Sequence, residues 1–362
     1  MSEKELREIR KRIDTIDVEI QQLISQRAEC ALEIANHKNA QSGGEGVEYY
    51  RPEREAEIIR AVIERNDSPL DDEIMVGFFR EIMSACRALQ YPLNIAYLGP
   101  EGTFTQAAVV KHFGSAHSTT PLMSIDEVFR EVESGAAQFG VVPIENSTEG
   151  MVNHTLDIFL NSPLKICSEI ELRIHHNLLS TERELGKVQC IYAHQQALAQ
   201  CREWLDANVV DVKRIVVNSN AEAARLASSK PGAAAIAGSS AAEIYELGVL
   251  AKNIEDESDN TTRFLVISRR MPSTSKKDKT SLLLSAPNKP GALYRLLKPF
   301  ANNNISMTRI ESRPSRRGMW DYVFFVDIEG HIKDEKIANA VKELEADTYM
   351  VKVLGSYPRA TS

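Results

Sequence analysis

The segment Asn260-Thr261-Thr262-Arg263-Phe264 brings a hydroxyl and a guanidinium together where a polar stretch passes into an apolar one. It follows the acidic run 255–259 and precedes a strand predicted over residues 264–268. A polar turn that leads into a strand commonly directs side chains into a cleft. A threonine before a strand is also typical of a turn or a cap, so these residues alone leave both interpretations open.

Two further polar loops stand next to predicted secondary structure. Residues 99–103, Gly-Pro-Glu-Gly-Thr, precede a helix predicted over 104–113. Such a turn offers backbone N–H groups to an anion, or is simply a tight turn. Residues 145–150, Glu-Asn-Ser-Thr-Glu-Gly, follow a predicted strand and precede a helix predicted from Gly150 to Leu160. The asparagine and serine of this loop are candidate ligand contacts or caps of that helix.

A weak internal repeat predicts two lobes in this part of the chain. Residues 124–127, Ser-Ile-Asp-Glu, form a capping box, and residues 219–222 repeat the pattern 95 residues later. Each box precedes a predicted helix and then a strand, at 139–142 and 233–237. The repeat indicates two α/β lobes with a ligand cleft between them, although chance similarity of α/β units gives the same pattern.

His194-Gln195-Gln196 lies between a strand predicted over 190–192 and a helix predicted over 197–206. A lone histidine in that position is more typical of a helix cap or a packed ring than of a catalytic base.

Residues 1–91 have a helical pattern. Apolar residues recur with a period near 3.5 between Lys4 and Lys38, without proline or glycine, which predicts a helix roughly 50 Å long. A helix of that length needs a partner to cover it. Residues 41–46 break it, Pro52 begins a second helix that runs to about residue 65, and Asp71 and Asp72 begin a third that runs to about Gln90.

The cations of the first helix are suitably placed for one anionic ligand. Arg27 and Lys38 are 11 residues apart and share a face, whereas Arg10 is 17 residues before Arg27 and lies about 100° away. Arg10 therefore suits the site of a neighbouring subunit. A solvated basic face explains the same spacing.

Length and composition restrict the class of protein. A chain of 362 residues predicts two or three domains, and a net charge of −8 without a basic patch argues against nucleic acid. We expect neither a membrane span nor a signal peptide, because the apolar runs are short and the first residues are charged. An odd number of cysteines without ligand spacing predicts free thiols in the cytoplasm and no metal, namely Cys30, Cys86, Cys167, Cys190 and Cys201.

The last part of the chain predicts a small α+β domain. A polar linker at 272–280 leads into 281–362, where strands and helices alternate in the order βαββαβ, which gives an antiparallel sheet with two helices on one face. A helix N-terminus at Gly291 suits a ligand carboxylate. Glu311, at a strand end, suits an ammonium group or faces water.

Residues 92–271 resemble the prephenate dehydratases. The match consists of the Gly-Pro-x-Gly-Thr turn, the Glu-Asn-Ser-Thr loop, His-x-Gln and Thr-Arg-Phe. The resemblance implies two lobes arranged as in periplasmic binding proteins and conversion of prephenate to phenylpyruvate. By the resemblance, Thr262 is catalytic and donates to the leaving hydroxyl, Asn146 and Gln196 position the ring, and Arg263 pairs with a carboxylate. Ala193 departs from the serine that is frequent in the family.

Residues 1–91 resemble the all-helical chorismate mutases, which are intertwined dimers. The resemblance implies that Arg10 and Arg27 bind the carboxylates of chorismate, and that Lys38 and Gln90 stabilise negative charge on the breaking ether oxygen. Glu55, in the element Pro52-Glu53-Arg54-Glu55, then holds the ring hydroxyl. Two candidate contacts to this hydroxyl depart from the family pattern, which has aspartate at the position of Arg51 and serine at that of Cys86.

Residues 281–362 resemble the amino-acid-binding ACT domains. The elements Gly291-Ala292-Leu293 and Glu311-Ser312-Arg313-Pro314 match the members that bind phenylalanine. The resemblance implies a regulatory site for phenylalanine, which is the end product of the pathway and inhibits the dehydratase.

The sequence thus predicts an all-α dimerising domain, a two-lobed α/β domain and an α+β domain, with mutase, dehydratase and regulatory functions in that order. The expected partners are chorismate, prephenate, phenylalanine and a second copy of the chain, without nucleic acid, membrane or cofactor. Two alternatives stay open at this point. One is a dehydratase that prefers arogenate, and the other is a non-enzymatic amino-acid sensor with a helical dimerisation arm.

Overall fold

Three helices form the N-terminal domain of the computed structural model, which describes residues 2–42, 50–286, 289–314 and 322–360. They are α1 (Glu3–Ser42), α2 (Pro52–Glu64) and α3 (Asp72–Gln90). The second half of α1 packs on α3 and buries Ala31 and Ala35. Because α1 continues to Ser42, the predicted break at 41–46 begins later than expected, and residues 43–46 lie outside the described ranges.

A six-stranded sheet forms the first α/β lobe. Its strand order is β2-β1-β3-β11-β5, with the short strand β4 beside β3. These strands are β1 (Asn94–Leu98), β2 (Ser118–Leu122), β3 (Phe139–Asn146), β4 (Gly150–Met151), β5 (Lys165–Arg173) and β11 (Thr261–Ser268). The lobe also contains α4 (Phe104–Phe113), α5 (Ile125–Ser134) and α6 (Asn153–Phe159). The helix predicted to begin at Gly150 begins instead at Asn153, because residues 150–151 pair with β3.

A five-stranded sheet in the order β10-β6-β9-β7-β8 forms the second lobe. Its strands are β6 (Asn177–Ser180), β7 (Cys190–His194), β8 (Lys213–Val217), β9 (Ala233–Ala237) and β10 (Gly248–Ala251). Its helices are α7 (Gln195–Gln200), α8 (Arg202–Asn208), α9 (Asn220–Ser228) and α10 (Ser239–Ile244). The chain passes between the lobes at residues 174–176 and again at 252–260, so these two segments connect the lobes.

The C-terminal domain has a four-stranded antiparallel sheet in the order β13-β14-β12-β15. Its elements are β12 (Asp278–Ala286), α11 (Ala292–Asn302), β13 (Met307–Pro314), β14 (Tyr322–Glu329), α12 (Glu335–Asp347) and β15 (Met350–Pro358). Both helices pack on the face that contains Leu282 and Leu284. The opposite face contributes Leu283, Phe325 and Tyr357 to the same core as Leu265 and Ile267 of the first lobe. One continuous core therefore joins the C-terminal sheet to the sheet of the first lobe.

The predicted linker at 272–280 is partly buried. Strand β12 already begins at Asp278, and Ser275 is fully buried, with its hydroxyl donating to the Asp278 carboxylate at 2.7 Å. Arg60 of α2 also donates to the carbonyl oxygen of Ser275 at 2.7 Å. Buried polar groups need such partners, so Ser275 and Asp278 owe their burial to these hydrogen bonds, whereas residues 273, 274, 276 and 277 are exposed.

The described residues contain no helix that combines the length and the hydrophobicity needed to cross a bilayer.

Candidate functional site

Thr262 and Asn146 face each other across two antiparallel strands. They are paired in the register of β11 and β3, and the Asn146 amide Nδ2 donates to Thr262 Oγ1 at 2.8 Å and to Asn260 Oδ1 at 2.8 Å. The Asn146 carbonyl accepts from the backbone N–H groups of Thr148 and Glu149, each at 3.0 Å. All four hydrogen-bonding positions of this amide are occupied, which fixes its orientation. Because Thr262 Oγ1 already accepts a hydrogen bond, its own proton is available to a ligand.

A chain of side-chain hydrogen bonds connects this pair to the second lobe. The Asn260 amide donates to Gln200 Oε1 at 3.1 Å, and the same oxygen lies 2.9 Å from His176 Nε2. Since the Gln200 oxygen can only accept, Nε2 of His176 carries the proton. Asn260 and His176 are each only 2% exposed, and burial lowers the pKa of His176, which keeps the ring neutral. We call His176, Gln200, Asn260, Asn146 and Thr262 the amide chain.

Sequence reasoning missed Gln200 and selected Gln196 instead. The two residues are one turn apart on α7, and the Gln196 side chain is exposed. The signal that could have found Gln200 is this spacing of four, which places both amides on one face of the helix. His194 caps the helix, with Nδ1 accepting from the Gln196 backbone N–H at 3.4 Å, which agrees with the helix-cap interpretation. Ala193 is fully buried.

Arg263 lies on the opposite side of the strand from Thr262. Because β11 begins at Thr261 and not at residue 264, Thr262 and Arg263 are consecutive strand residues and point to opposite faces. The guanidinium donates to Glu169 at 3.0 Å and to Asp327 of the C-terminal sheet at 2.8 Å. Burial alone would lower the pKa of Arg263, but Tyr357, Asp327 and Glu169 raise it. The prediction that Arg263 pairs with a substrate carboxylate disagrees with this placement.

The turn at 99–103 links the two lobes. Thr103 caps α4, and the Gly102 N–H donates to the Gln106 side chain at 2.6 Å, so that N–H group is already occupied. Gly102 has a φ of 86°, in the left-handed region that favours glycine. Across the cleft, the Tyr245 hydroxyl of the second lobe donates to the Glu101 carbonyl at 3.1 Å.

The end of α3 lies next to α1 in the N-terminal domain. Gln90 Nε2 donates to the carbonyl oxygen of Ala31, at 2.8 Å, between the positions of Arg27 and Lys38. Cys86, one turn earlier, is buried. Arg10 is exposed and lies about 25 Å along the helix from Arg27, so a single chain does not bring Arg10 to the other residues.

Glu55 forms an ion pair with Arg87, which also contacts the first lobe. Burial raises the pKa of Glu55, while Arg87, Arg80 and Arg27 act in the opposite direction. Arg87 also donates to the Phe113 carbonyl at 2.8 Å and to His117 Nε2 at 2.9 Å.

Arg51 is directed away from this pair. Its side chain is 52% exposed and bonds to Glu53 at 2.9 Å. The preceding residue, Tyr50, is buried against Phe113 and Phe139 of the first lobe.

The two sequence motifs that begin at Gly291 and Glu311 lie on different sides of the C-terminal sheet. Gly291, with φ of 78°, precedes α11, which packs on one face. Glu311 pairs with Phe325 in the register of β13 and β14 and shares the face that meets the first lobe. Arg313 is on that face too, and it bonds to Asn153 and forms an ion pair with Asp157 at 2.8 Å. Ala292 is partly buried, whereas Leu293 and Ser312 are exposed.

Within the described ranges, no group of three or more histidine, cysteine, aspartate or glutamate residues could hold a metal ion.

Family models match three consecutive segments of the chain. They are chorismate mutase type II over residues 9–91, prephenate dehydratase over 95–272 and the ACT domain over 280–346. The crystal structure of the prephenate dehydratase from Arthrobacter aurescens in complex with L-Phe is 35% identical, with a TM-score of 0.68, and the match covers 74% of this chain and 90% of that one.

Two curated relatives match along nearly the whole length. The bifunctional chorismate mutase/prephenate dehydratase of Pseudomonas aeruginosa is 52% identical over 358 residues, which are 98% of each chain. The enzyme of the same name from Stutzerimonas stutzeri is 54% identical over 364 residues, or 99% of this chain and 100% of that one. With these identities and all three domains in the same order, the chain belongs to the bifunctional chorismate mutase/prephenate dehydratases, enzymes of phenylalanine biosynthesis.

Proposed function

We propose that the dehydratase step takes place at Thr262 and Asn146. Prephenate loses its ring carboxylate as carbon dioxide, the electron pair enters the ring, and the ring hydroxyl leaves as water after it receives a proton. Thr262 donates this proton and is reprotonated from solvent. The supporting observation is the 2.8 Å hydrogen bond from Asn146, which leaves the threonine proton free to point towards a ligand.

A threonine hydroxyl is a weak acid, so its contribution comes from placement in a cleft that excludes water. The amide chain provides this placement through neutral side chains. We propose that Gln200, which bonds to Asn260, takes over the positioning role that the sequence assigned to Gln196. Gln196 contacts the ring only when the lobes close on the substrate.

We propose that the mutase site lies between α1, α2 and α3. Arg27 and Lys38 bind the carboxylates and the ether oxygen of chorismate, Gln90 donates to the same oxygen, and Glu55 holds the ring hydroxyl. The contact of Gln90 with Ala31 supports this assignment, because it places the end of α3 beside the cations of α1. Cys86 and Arg51 lie at the edge of the proposed site.

A second copy of the chain completes this site in the proposal. The first half of α1 exposes a stripe of isoleucines and leucines that a single chain leaves uncovered, namely Ile9, Ile13, Ile16, Ile20 and Leu23, each between 41% and 64% exposed. Large exposed apolar stripes mark interaction surfaces. In an intertwined homodimer this stripe is buried and Arg10 reaches the site of the partner subunit.

We also propose that phenylalanine binds the C-terminal domain and inhibits the dehydratase. The L-Phe complex of the Arthrobacter relative supports this. Since Gly291 and Glu311 lie on different faces of one sheet, their joint use of a ligand requires two copies of the domain. The proposed limits are 1–91 for the mutase, 92–271 for the dehydratase and 281–362 for the regulatory domain, with 272–280 between the last two.

The two activities are tested with the purified full chain. Chorismate consumption measures the mutase, and phenylpyruvate formation from prephenate measures the dehydratase, each with and without phenylalanine. Arogenate in place of prephenate separates the two dehydratase specificities. Turnover of prephenate that is at least about tenfold faster than turnover of arogenate supports the proposal, and the reverse ratio contradicts it.

A further inference from the structure

Directly behind the proposed catalytic pair lies a second register pair of charged residues. Thr262 pairs with Asn146 across β11 and β3, and Arg263 pairs with Glu145. Neighbouring strand residues point to opposite faces, so Glu145 and Arg263 lie behind the side chains that face the cleft. Their guanidinium and carboxylate are 3.8 Å apart. Any change at this second pair acts on the same two stretches of backbone that carry the catalytic pair.

Two charges from the C-terminal sheet complete a ring of alternating sign. Asp327 of β14 accepts from Arg263 at 2.8 Å, and Arg309 of β13 lies 3.6 Å from Glu145 and 3.9 Å from Asp327. We call Glu145, Arg263, Arg309 and Asp327 the charge quartet. The side chains of Arg263, Arg309 and Asp327 are 12%, 15% and 8% exposed, whereas that of Glu145 is 38% exposed. Three of the four are therefore well removed from water, where ion pairs are screened least.

Further hydrogen bonds hold the quartet in one arrangement. Ser281 donates to the second oxygen of Asp327, and the Tyr357 hydroxyl lies 2.8 Å from Ser281 and 3.4 Å from the Arg263 guanidinium. Glu169 bonds to Arg263 at 3.0 Å and to Lys279 at 2.7 Å. Each charge thus has partners on both sheets, and a shift of one sheet relative to the other changes several contacts at once.

We propose that the charge quartet positions Thr262 and Asn146, so that Asp327 and Arg309 of the regulatory domain are positioning residues of the dehydratase step. A hydroxyl that works by placement loses rate steeply when it moves by a fraction of an ångström. In the described part of the chain, the amide chain supports the catalytic pair from the cleft side, and the quartet supports it from behind.

The same contacts give the regulatory domain a route to the dehydratase. Arg309 and Glu311 lie two residues apart on the same face of β13, so a ligand that moves Glu311 also moves Arg309, which is bound to Glu145. A ligand inhibits in this way if it binds better to the arrangement in which the quartet is disrupted. This inference rests on the proposed roles of Thr262 and Asn146 and on phenylalanine as the ligand.

The test is Asp327→Asn in the full-length enzyme. It removes one charge and keeps the shape of the side chain. We expect the dehydratase kcat to fall about tenfold with KM within about twofold, and the half-inhibitory concentration of phenylalanine to change at least about threefold. The mutase activity of the same preparation stays at the wild-type level. Asp327→Glu, which keeps the charge, recovers part of the loss.

A matched control separates positioning from simple attachment of the domain. Lys352 of β15 crosses the same interface and donates to the carbonyls of Phe159 and Ser162, at 2.9 Å and 2.7 Å, at and just after the end of α6. We expect Lys352→Met to lower the unfolding midpoint but to leave the dehydratase kcat and the phenylalanine response unchanged. If Asp327→Asn fails to fold, Tyr357→Phe removes only the hydroxyl between Ser281 and Arg263 and replaces it in the test.

Thr262→Ala, assayed alongside, distinguishes a failure of the proposed dehydratase function from a failure of the proposed role of the charge quartet. Full dehydratase turnover in Thr262→Ala would remove the proposed function itself. Loss of turnover in Thr262→Ala together with wild-type kcat and phenylalanine response in Asp327→Asn would overturn the quartet alone. The quartet is overturned equally if Lys352→Met reproduces the kinetic changes of Asp327→Asn.

Discussion

The two proposed active sites of this enzyme use different types of side chain on different secondary structures. The mutase site uses long charged side chains on helix faces, one of which, Arg10, lies about 25 Å from its nearest companion on the same helix. The dehydratase site uses short neutral side chains on two paired strands, with every hydrogen-bonding position of Asn146 occupied. Charges on a helix can be contributed by different chains, whereas a register pair on two strands belongs to one chain. The proposed mutase site therefore depends on assembly of two chains, and the proposed dehydratase site depends on the internal support of one domain.

The sharpest separation of the two sites is Thr262→Ala. We expect the dehydratase kcat to fall by about 10²-fold or more, because the leaving hydroxide loses its proton donor. Chorismate mutase activity stays unchanged, since Thr262 lies in another domain. Thr262→Ser keeps the hydroxyl and serves as the control, with a loss of about tenfold or less. Equal activity of the serine and alanine variants would contradict a role of the hydroxyl.

Mixing variant subunits tests the claim about assembly. Arg10→Ala and Lys38→Ala each reduce mutase activity, but in a mixed dimer one of the two sites regains both cations. After the subunits are exchanged by mild denaturation and refolding, we expect about a quarter of the wild-type mutase activity to return. Thr262→Ala mixed with Asn146→Ala restores no dehydratase activity, because both residues belong to one chain. Restored dehydratase activity would contradict a dehydratase site within one chain. Failure of the Arg10→Ala and Lys38→Ala subunits to complement would contradict a mutase site shared between two chains.

Elements with local signals could be predicted from the sequence. Helix α4 and strand β9 have the predicted limits, because Thr103 caps the helix and glycines at 232 and 238 bound the strand. The start of β11 was placed three residues too late, since its first residues are strand only through pairing with β3 and β5. The error affects Arg263 as well. A turn residue could face the cleft beside Thr262, but as the next residue of a strand Arg263 points to the opposite face.

Residues whose roles depend on distant partners stayed hidden. Gln200 is the last residue of a short helix, and its partner Asn260 is 60 residues away. The sequence around Asp327 predicts only a strand. The packing of the C-terminal sheet on the first lobe brings Asp327 to Arg263. Pattern reasoning identifies the reacting groups through their chemical types. It does not identify the residues that hold them, because their types are common and their partners are set by the tertiary fold.

Gln200→Ala tests the support of the dehydratase site within its own domain. Removal of this amide leaves Asn260 and His176 without their shared acceptor, so we expect the dehydratase kcat to fall about tenfold. Gln196→Ala, one turn away on the same helix and with its side chain exposed, is the matched control and is expected to act mainly on KM. The two variants are compared by steady-state kinetics with prephenate. A larger kcat effect at residue 196 would return the positioning role to Gln196.

The N-terminal domain, which contains the proposed mutase site, packs against the first lobe through two histidines, His112 and His117, whose contacts respond to pH. Burial, followed by nearby arginines, lowers the pKa of His112 to about 3 and that of His117 to about 4, and His117 must stay neutral to accept from Arg87. In the unfolded chain these histidines take up protons below about pH 6.5, whereas in the folded protein they do not. Stability is therefore fully present above that pH and decreases as the pH falls, by at most about 1.4 kcal/mol per pH unit for each histidine.

This smallest effect is measured as the unfolding midpoint between pH 7 and pH 5. His112→Gln, which can still form a hydrogen bond with the Tyr50 hydroxyl, is expected to flatten the pH dependence by a few degrees relative to the wild type. His154→Gln is the control, because His154 is 55% exposed and contacts Asp126 rather than Tyr50 or Arg87. By contrast, His176 is the single ionisable side chain of the amide chain, and it is already neutral, because burial lowers its pKa. An equal flattening by His154→Gln would show that the acid sensitivity does not arise where the mutase meets the dehydratase lobe.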